Sequence, residues 1–522
     1  MRLIALQLPK FKNLTSFSMD FDSESSVSVL VGKNGTGKSN VLEATTLIFR
    51  DLDLAQPASL DYTIKYECRG HIMSVTGKTG ERVVTATIDG QPVASTRITG
   101  ETGRKARPDF VFGYYSGPSN RLEQHFIQHQ ERFYRDLVNG VENPLRPLFY
   151  ARSVHSNFVL LAFFLEEDPA VRGFLHEHLG IDQLDSVLFE MQKPSWNSKT
   201  GDPRFWHARG TVQVFLDRLY SLSLAPMRLN PRVRVGNRRP VRVEHLYLYL
   251  SDLDQVRKLR DFYGSNQEFF KALESTYISE LIHDVRIRVA LQRARGALTF
   301  RELSEGEQQL LLVLGLMRFT REDESIFLLD EPDTHLNPAW SAQYRSFLER
   351  FGGLGPSSHV IMATHDPLVV SAMTRQEVRI LARTEEGLTE SLVPLEDPQG
   401  MGVGSLLTSD VYGLRAPVDI ETLERLERKR RLSATEFLSL EEEQELASLD
   451  AYLSGLGLLL EDRDPDYQEY LRARYRNLED VPSAHEVRDQ GQVEADRELA
   501  EIVLRKVLNR RAAGGDDVGG AV

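Results

Sequence analysis

The chain has 522 residues, of which 41% are hydrophobic and 27% charged, and its formal net charge is −13. That length and balance fit a globular protein of about three domains, and they exclude a general nucleic-acid coat, which needs a cationic face. Cys68 is the single cysteine, which rules out an internal disulfide and a multi-thiolate zinc site. No apolar run reaches eighteen residues and the N-terminal MRLIALQLPKFKN has no signal-peptide pattern, so the expected location is the cytoplasm.

In chain order, alternation over residues 3–8 predicts an opening strand. Residues 1 to about 50 read as strand, strand, Gly-rich turn and helix. Residues 51 to about 112 read as β-rich, with Asp89-Gly90 marking a hairpin turn. From about 121 to 280 the pattern is mostly helical, with one basic interruption. A parallel α/β pattern returns at about Val285 and runs to about Val393. Beyond Met401 the runs are helical and heavily charged, and residues 512–522 are small, Gly-rich and unpatterned. The expected organisation is an α/β head in two pieces, 1–120 and 285–395, split by a mainly helical insertion at 121–284. A helical C-terminal region at 396–511 and a disordered tail at 512–522 complete it.

Gly32-Lys33-Asn34-Gly35-Thr36-Gly37-Lys38-Ser39 fits G-x-x-x-x-G-K-[ST] at every fixed position. It follows the apolar run 27–31 and precedes a helix predicted to begin near Asn40, the context a phosphate-binding loop requires. Glycines at 32, 35 and 37 let backbone N–H groups curl round phosphates at a helix N-terminus. Lys38 is placed to reach the β- and γ-phosphates of ATP, and Ser39 to ligate Mg²⁺. The apolar run 325–329 ends in Asp330-Glu331. Asp330 is expected to hold the Mg²⁺ shell and Glu331 to polarise the attacking water, the two roles phosphoryl transfer asks for.

Leu303-Ser304-Glu305-Gly306-Glu307-Gln308 opens a leucine-rich helix whose hydroxyl, free N–H groups and dipole suit an anion. Ser304 with Glu307 also reads as a capping box, and the two readings are compatible. The run 360–363 leads into Thr364-His365-Asp366, where His365 could sense a γ-phosphate through a hydrogen bond.

The order of these motifs, from GKNGTGKSN through LSEGEQ and LLDEPDTHLNP to ATHDP, resembles the ABC-type ATPase heads of the RecF, SMC and OLD families. The resemblance covers roughly residues 1–50 and 285–395. It implies that two heads sandwich two ATP molecules, each between one copy's P-loop, residues 32–40 with Asn34 and Asn40, and the other's signature turn. On that basis Ser304 and Gly306 act on the other copy's nucleotide, with Glu307 beside them as a nucleotide-binding residue, Glu331 is the catalytic base and His365 the switch histidine. Residues 335–338 match the D-loop, with Asn337 where transporters usually have Asp. No Q-loop glutamine is identifiable: residues 114–121 occupy its place and the first glutamine is Gln124. Residues 114–121, 397–403 and 464–467 further resemble the PtuA family, the ATPase subunits of Septu-type phage-defence systems and their retron-associated relatives. That implies a homo-oligomer working with a separately encoded HNH nuclease; the helical C-terminal region, which lies outside the head's motifs and is long enough to dock another protein, is the expected docking place.

Other signals carry plainer readings. Arg228, Arg232, Arg234, Arg238, Arg239 and Arg242 lie in alternating Val and Arg broken by Gly236-Asn237, a hairpin with one basic face. It could lie along nucleic-acid phosphate, but a solvated or acid-paired face is the favoured reading. His125 with His129, and His176 with His178, lack a third ligand and read as surface residues rather than metal ligands. The charged stretch 421–431 reads as a solvated helix face or a partner-docking helix. Asp462-Arg463-Asp464 imitates the D-x-D of a Toprim nuclease, but only Glu385-Glu386-Gly387 offers an upstream glutamate and the βα units between are missing. The expected function is an ATP-dependent regulatory subunit that is not itself a nuclease. A RecF-like maintenance ATPase and an OLD-like ATPase-nuclease are the alternatives.

Overall fold

The runs Val27–Val31, Ser325–Asp330 and Ser358–Ala363 are buried at every residue, as parallel strands covered on both faces are. In the computed structural model, which describes all residues except 23, 142–145, 234–240, 292–296, 300–301, 321–323, 356, 436, 457–489 and 515–522, they form the centre of a seven-stranded sheet. Its order is Thr389–Leu392, Val378–Arg383, Val27–Val31, Ser358–Ala363, Ser325–Asp330, Phe110–Tyr115, Leu148–Tyr150. Only the first pair is antiparallel. The strand Ser358–Ala363 therefore separates the P-loop strand from the strand ending in Asp330, with Ala363 in register with both Leu30 and Asp330. Three loops leave one carboxyl edge of the sheet, where open α/β sheets bind ligands.

The chain divides into two compact units, Met1–Val393 and Pro394–Val522. In the first, the helix Lys38–Leu54 packs Val41, Leu42, Ile48 and Phe49 into one core with Leu30, Leu328 and Ile361 of the parallel sheet. The same core takes in Leu3, Leu6, Ile64 and Tyr66 from a six-stranded antiparallel sheet formed by residues 2–93. The Asp89-Gly90 hairpin is present there, both residues having positive φ (50° and 78°), as a two-residue primed turn requires.

The insertion is mainly helical, with Ile127–Val138, His155–Phe164, Gly210–Leu222, Leu253–Asp261 and Asn266–Ile278. It also builds a five-stranded sheet with Met227–Leu229, His245–Leu250, Ile181–Gln192, Ile282–Leu291 and Ala297–Thr299 in that order. The parallel pattern expected from Val285 onward is corrected by this sheet. Ile282–Leu291 alternates buried and exposed residues and runs antiparallel to Ile181–Gln192, a one-face-solvated pattern. Parallel architecture resumes only after the helix Glu305–Thr320.

In the second unit, the helices Ile420–Ala434 and Leu440–Gly455 begin at Asp419 and Ser439, the latter with a complete capping box. Arg428 holds Glu445 through two bonds of 2.9 and 2.7 Å. Lys429 meets Asp450 at 3.0 Å and Arg425 lies 4.0 Å above the Tyr452 ring. The stretch 421–431, read as a solvated face or a partner-docking helix, also uses Arg425, Arg428 and Lys429 to pair one helix with the next. The helix Gln490–Gly514 runs three residues into the stretch expected to be a disordered tail. Asp462, Asp464 and residues 464–467 lie outside the described residues. No helix among the described residues is long and apolar enough to cross a membrane.

Candidate functional site

The P-loop is a tight cradle. A Cβ on Gly32 (φ 144°) would lie 2.3 Å from the Leu381 carbonyl oxygen, and one on Gly37 (φ 109°) 2.6 Å from the Leu14 side chain. Only glycine fits such positions. Asn34 is exposed at the loop tip. Lys38, 6% exposed, donates from Nζ to the carbonyls of Gly32 (2.8 Å) and Lys33 (3.4 Å). Burial lowers its pKa to about 8, against the opposing pull of Asp330 and Glu331. Ser39 Oγ donates to Asp330 Oδ1 at 3.0 Å. Burial raises the Asp330 carboxyl to about 6, although Ser39, Arg121 and Lys38 all favour its anion. A glycine-lined cradle, a buried amine bonded only to carbonyls and a hydroxyl–carboxylate pair form the ligand set that fits a nucleoside triphosphate with Mg²⁺.

Glu331 follows in the left-handed region (φ 53°), a strained state for a non-glycine residue that persists only when its surroundings hold it. Its amide donates to the Ala363 carbonyl at 2.9 Å. The Glu331 carboxylate is partly exposed, and its Oε1 lies 3.7 Å from His365 Nε2. Burial, then the Lys38 charge, lower the His365 pKa, with Glu331 opposing, which favours neutral imidazole at pH 7. Behind them, Thr364 Oγ1 donates to Asp333 Oδ2 at 2.6 Å. Asp333 is buried and its pKa is raised to about 6 by that burial.

The signature turn has the capping box as read: the Ser304 amide donates to Glu307 Oε2 (2.7 Å) and the Glu307 amide to Ser304 Oγ (3.3 Å). Ser304 and Glu305 are exposed, whereas Gly306 is buried. A Cβ on Gly306 would lie 2.3 Å from the His335 carbonyl oxygen, so this glycine lets signature helix and D-loop touch. Asn337 is exposed and caps the short helix Pro338–Ser341, accepting from the Trp340 amide at 3.0 Å. The structure therefore brings Lys38, Ser39, Asp330, Glu331 and His365 together. It gives Ser304, Gly306 and Asn337 local partners of their own.

Several site residues escaped sequence reasoning. Arg121 donates to Asn40 Oδ1 (2.7 Å) and lies 3.6 Å from Glu43 Oε2, at the first turns of the P-loop helix. Asn13 and Arg383 both donate to the Gly35 carbonyl, at 2.7 and 3.0 Å. Gln124 donates to the Arg121 carbonyl instead of lining the site. The reading of His125 and His129 as surface residues is corrected. His125 Nε2 lies 2.8 Å from Glu43 Oε1, and buried His129 lies 2.9 Å from Asp53 Oδ2. The pair fixes the insertion to the P-loop helix. In the basic ribbon, Arg228 is bound to Glu244 and lies 5.5 Å above Trp206. Arg232 pairs with Arg242 across two strands, and Arg234, Arg238 and Arg239 lie outside the described residues.

Two family profiles match the chain. One, described as "AAA domain, putative AbiEii toxin, Type IV TA system", covers residues 198–371, and another, described as "AAA domain", covers 1–63. The Septu protein PtuA of Bacillus mycoides (strain KBAB4) is 29% identical over 214 residues, 38% of this chain and 30% of that protein. The "Retron Vc95 probable ATPase" of Vibrio cholerae serotype O1 biovar El Tor is 22% identical over 163 residues, 29% of this chain and 30% of that protein. The chain thus spans less than half the length of the curated relatives it matches. The SMC head domain from Thermotoga maritima aligns at 15% identity and a TM-score of 0.32, covering 75% of this chain and 99% of that one. With the P-loop and the Asp330-Glu331 strand end on either side of one intervening strand, the chain has the α/β fold of a P-loop ATPase head, and its sequence is similar to AAA domains, to the Septu PtuA proteins and to the retron Vc95 ATPase.

Proposed function

We propose that the chain is the ATP-hydrolysing regulatory subunit of an anti-phage defence complex, in which ATP-dependent pairing of two heads controls a separately encoded HNH nuclease. The ATPase part is carried by the convergence of Lys38, Ser39, Asp330, Glu331 and His365 at one sheet edge. The defence part rests on the similarity to Septu PtuA.

On this reading the phosphates of ATP enter the loop 32–39, and Lys38 exchanges its bonds to the Gly32 and Lys33 carbonyls for phosphate oxygens. Ser39 and Asp330 would hold Mg²⁺, which supplies charge neutralisation between the phosphates. Glu331 takes a proton from the water whose oxygen attacks the γ-phosphorus, and the bond to the ADP oxygen breaks. A neutral His365 donates its ring N–H to the γ-phosphate. Ser304, exposed beside Glu305, together with Gly306, Glu307 and Asn337, faces the nucleotide of a second copy.

The test is the molecular mass of the Glu331→Gln variant with and without ATP and Mg²⁺, alone and with the neighbouring gene product. The variant is expected to bind ATP, hydrolyse it at a small fraction of the wild-type rate and persist as head pairs. Wild-type hydrolysis, or a mass that ATP leaves unchanged, contradicts the proposal. Nuclease activity with Mg²⁺ or Mn²⁺ should appear only when the partner is added.

A further inference from the structure

The insertion holds a cavity of about 590 Å³, within the size range of small-ligand sites. Ile127, Gln130, Glu131 and Tyr134 line it. Their i, i+3, i+4, i+7 spacing makes them one stripe of the helix Ile127–Val138. Facing them are Tyr277, Ile278, Glu280 and Ile282.

Which groups are free defines what fits. The one cationic group in the lining, Arg152, is spent: its Nε donates to Glu123 Oε1 at 2.8 Å and its terminal nitrogen to Gln130 Oε1 at 2.8 Å. The Glu131 carboxylate makes no ion pair or hydrogen bond with any described residue. Glu280 uses only Oε2, which accepts from the amide and hydroxyl of Ser195 (3.0 and 2.5 Å). The cavity therefore offers carboxylate oxygens beside two tyrosines and three isoleucines. Anions are repelled from such a lining, and a cation on an apolar stem is matched on both counts.

We propose that this cavity is an effector site for an organic cation, an alkylammonium or guanidinium group on an apolar stem. The stem and charge could belong to a free amine or to the Lys or Arg side chain of a peptide. The ATP site has a physical reason to respond. The helix that lines the cavity is tied to the P-loop helix Lys38–Leu54 by His129 to Asp53, and by His125, just before its first turn, to Glu43. That coupling rests on the ATPase reading above; binding in the cavity does not.

The test is calorimetric titration of the full chain, at about 0.15 M salt to suppress diffuse binding to an acidic protein. The probes are agmatine and, separately, the blocked amino acid N-acetyl-arginine amide. One-site saturable binding of agmatine is expected, weakened about tenfold or more in a Glu131→Gln, Glu280→Gln double variant whose melting temperature without probe is unchanged. Glu131→Gln alone, at an exposed helix position, repeats the test if the double variant fails to fold. Saturable binding of the arginine amide but not of agmatine, lost in the same variants, assigns the site to a peptide. Binding that the variants leave unchanged, or none by either probe, overturns the proposal. If cations bind while the purified chain fails to hydrolyse ATP, the ATPase reading falls and the site stands.

Discussion

Asp330→Asn should stabilise the protein while abolishing Mg²⁺-dependent hydrolysis. Asp330 is 2% exposed and its pKa is raised from 3.8 to about 6, chiefly by burial. A folded-state pKa above the unfolded one means the fold disfavours the charge. The stabilising contribution is fully present below pH 3.8, when both states are protonated, and is lost as pH rises through 6. Two pKa units correspond to roughly 3 kcal/mol at pH 7.5. Asparagine removes the charge and keeps a partner for Ser39 Oγ, but its buried amide also needs satisfying, so about 1–3 kcal/mol of gain is expected. For a unit of this size that is a rise in melting temperature of about 1–4 °C without nucleotide. The assay is thermal unfolding in EDTA at pH 7.5 and pH 5, where the gain should fall by roughly half. With ATP and Mg²⁺ the gap should narrow or reverse, because a ligand that needs Mg²⁺ at Asp330 stabilises the wild type more than the variant. A variant no more stable than wild type at pH 7.5, or a gain identical at both pH values, refutes the reasoning.

Lys38→Ala should abolish tight ATP binding in a calorimetric titration. Because burial holds Lys38 near pKa 8, binding above that pH should draw a proton onto the amine, seen as a buffer-dependent heat that the variant lacks. Mixing Lys38→Ala with Gly306→Ala protein should partly restore hydrolysis, since mixed pairs hold one intact composite site; no recovery in verified mixed pairs counts against shared sites. Arg121→Ala removes a charge-assisted bond to Asn40. A loss of about 1.5–3 kcal/mol, roughly tenfold to hundredfold in kcat/KM, should follow. Lysine at 121 should not restore it, because a point charge cannot reproduce the contacts to both Asn40 and Glu43; full rescue by lysine contradicts this role.

Legibility in the sequence followed the range of the interactions. The P-loop and the Asp330-Glu331 strand end are local: their chemistry needs fixed spacing on one strand–turn unit, so the residues announce themselves. The capping box at Ser304 was legible for the same reason. Arg121 was not, since its partners Asn40 and Glu43 lie 81 and 78 positions away and no spacing rule connects them. His129 misled because a histidine at helical spacing is blank until its partner, Asp53, is known. The strand at Ile282–Leu291 was assigned to the wrong sheet for a related reason. Alternation predicts a strand, but only the pairing with Ile181–Gln192 fixes its direction.

The long-range contacts that were hidden are also those that give the proposed cycle its direction. Of the three carboxylates on the P-loop helix, Glu43 and Asp53 are gripped by the segment that opens the insertion. Glu43 meets Arg121 and His125, and Asp53 meets His129. Arg121 also favours the anion of Asp330, so one segment reads the metal side of the site and the flank of its helix together. A Mg²⁺ ion held at Asp330 would add positive charge beside Arg121 and alter the field on it. Any shift of that side chain acts on Asn40 and Glu43 within the first turns of the helix. The helix interior cannot absorb the shift, because Val41, Leu42 and Ala44 are packed at 0% exposure and close-packed interiors transmit strain. The displacement must then appear where the grip is polar and adjustable, at His125 and His129. Nucleotide state would thereby reach the insertion through Arg121, His125 and His129.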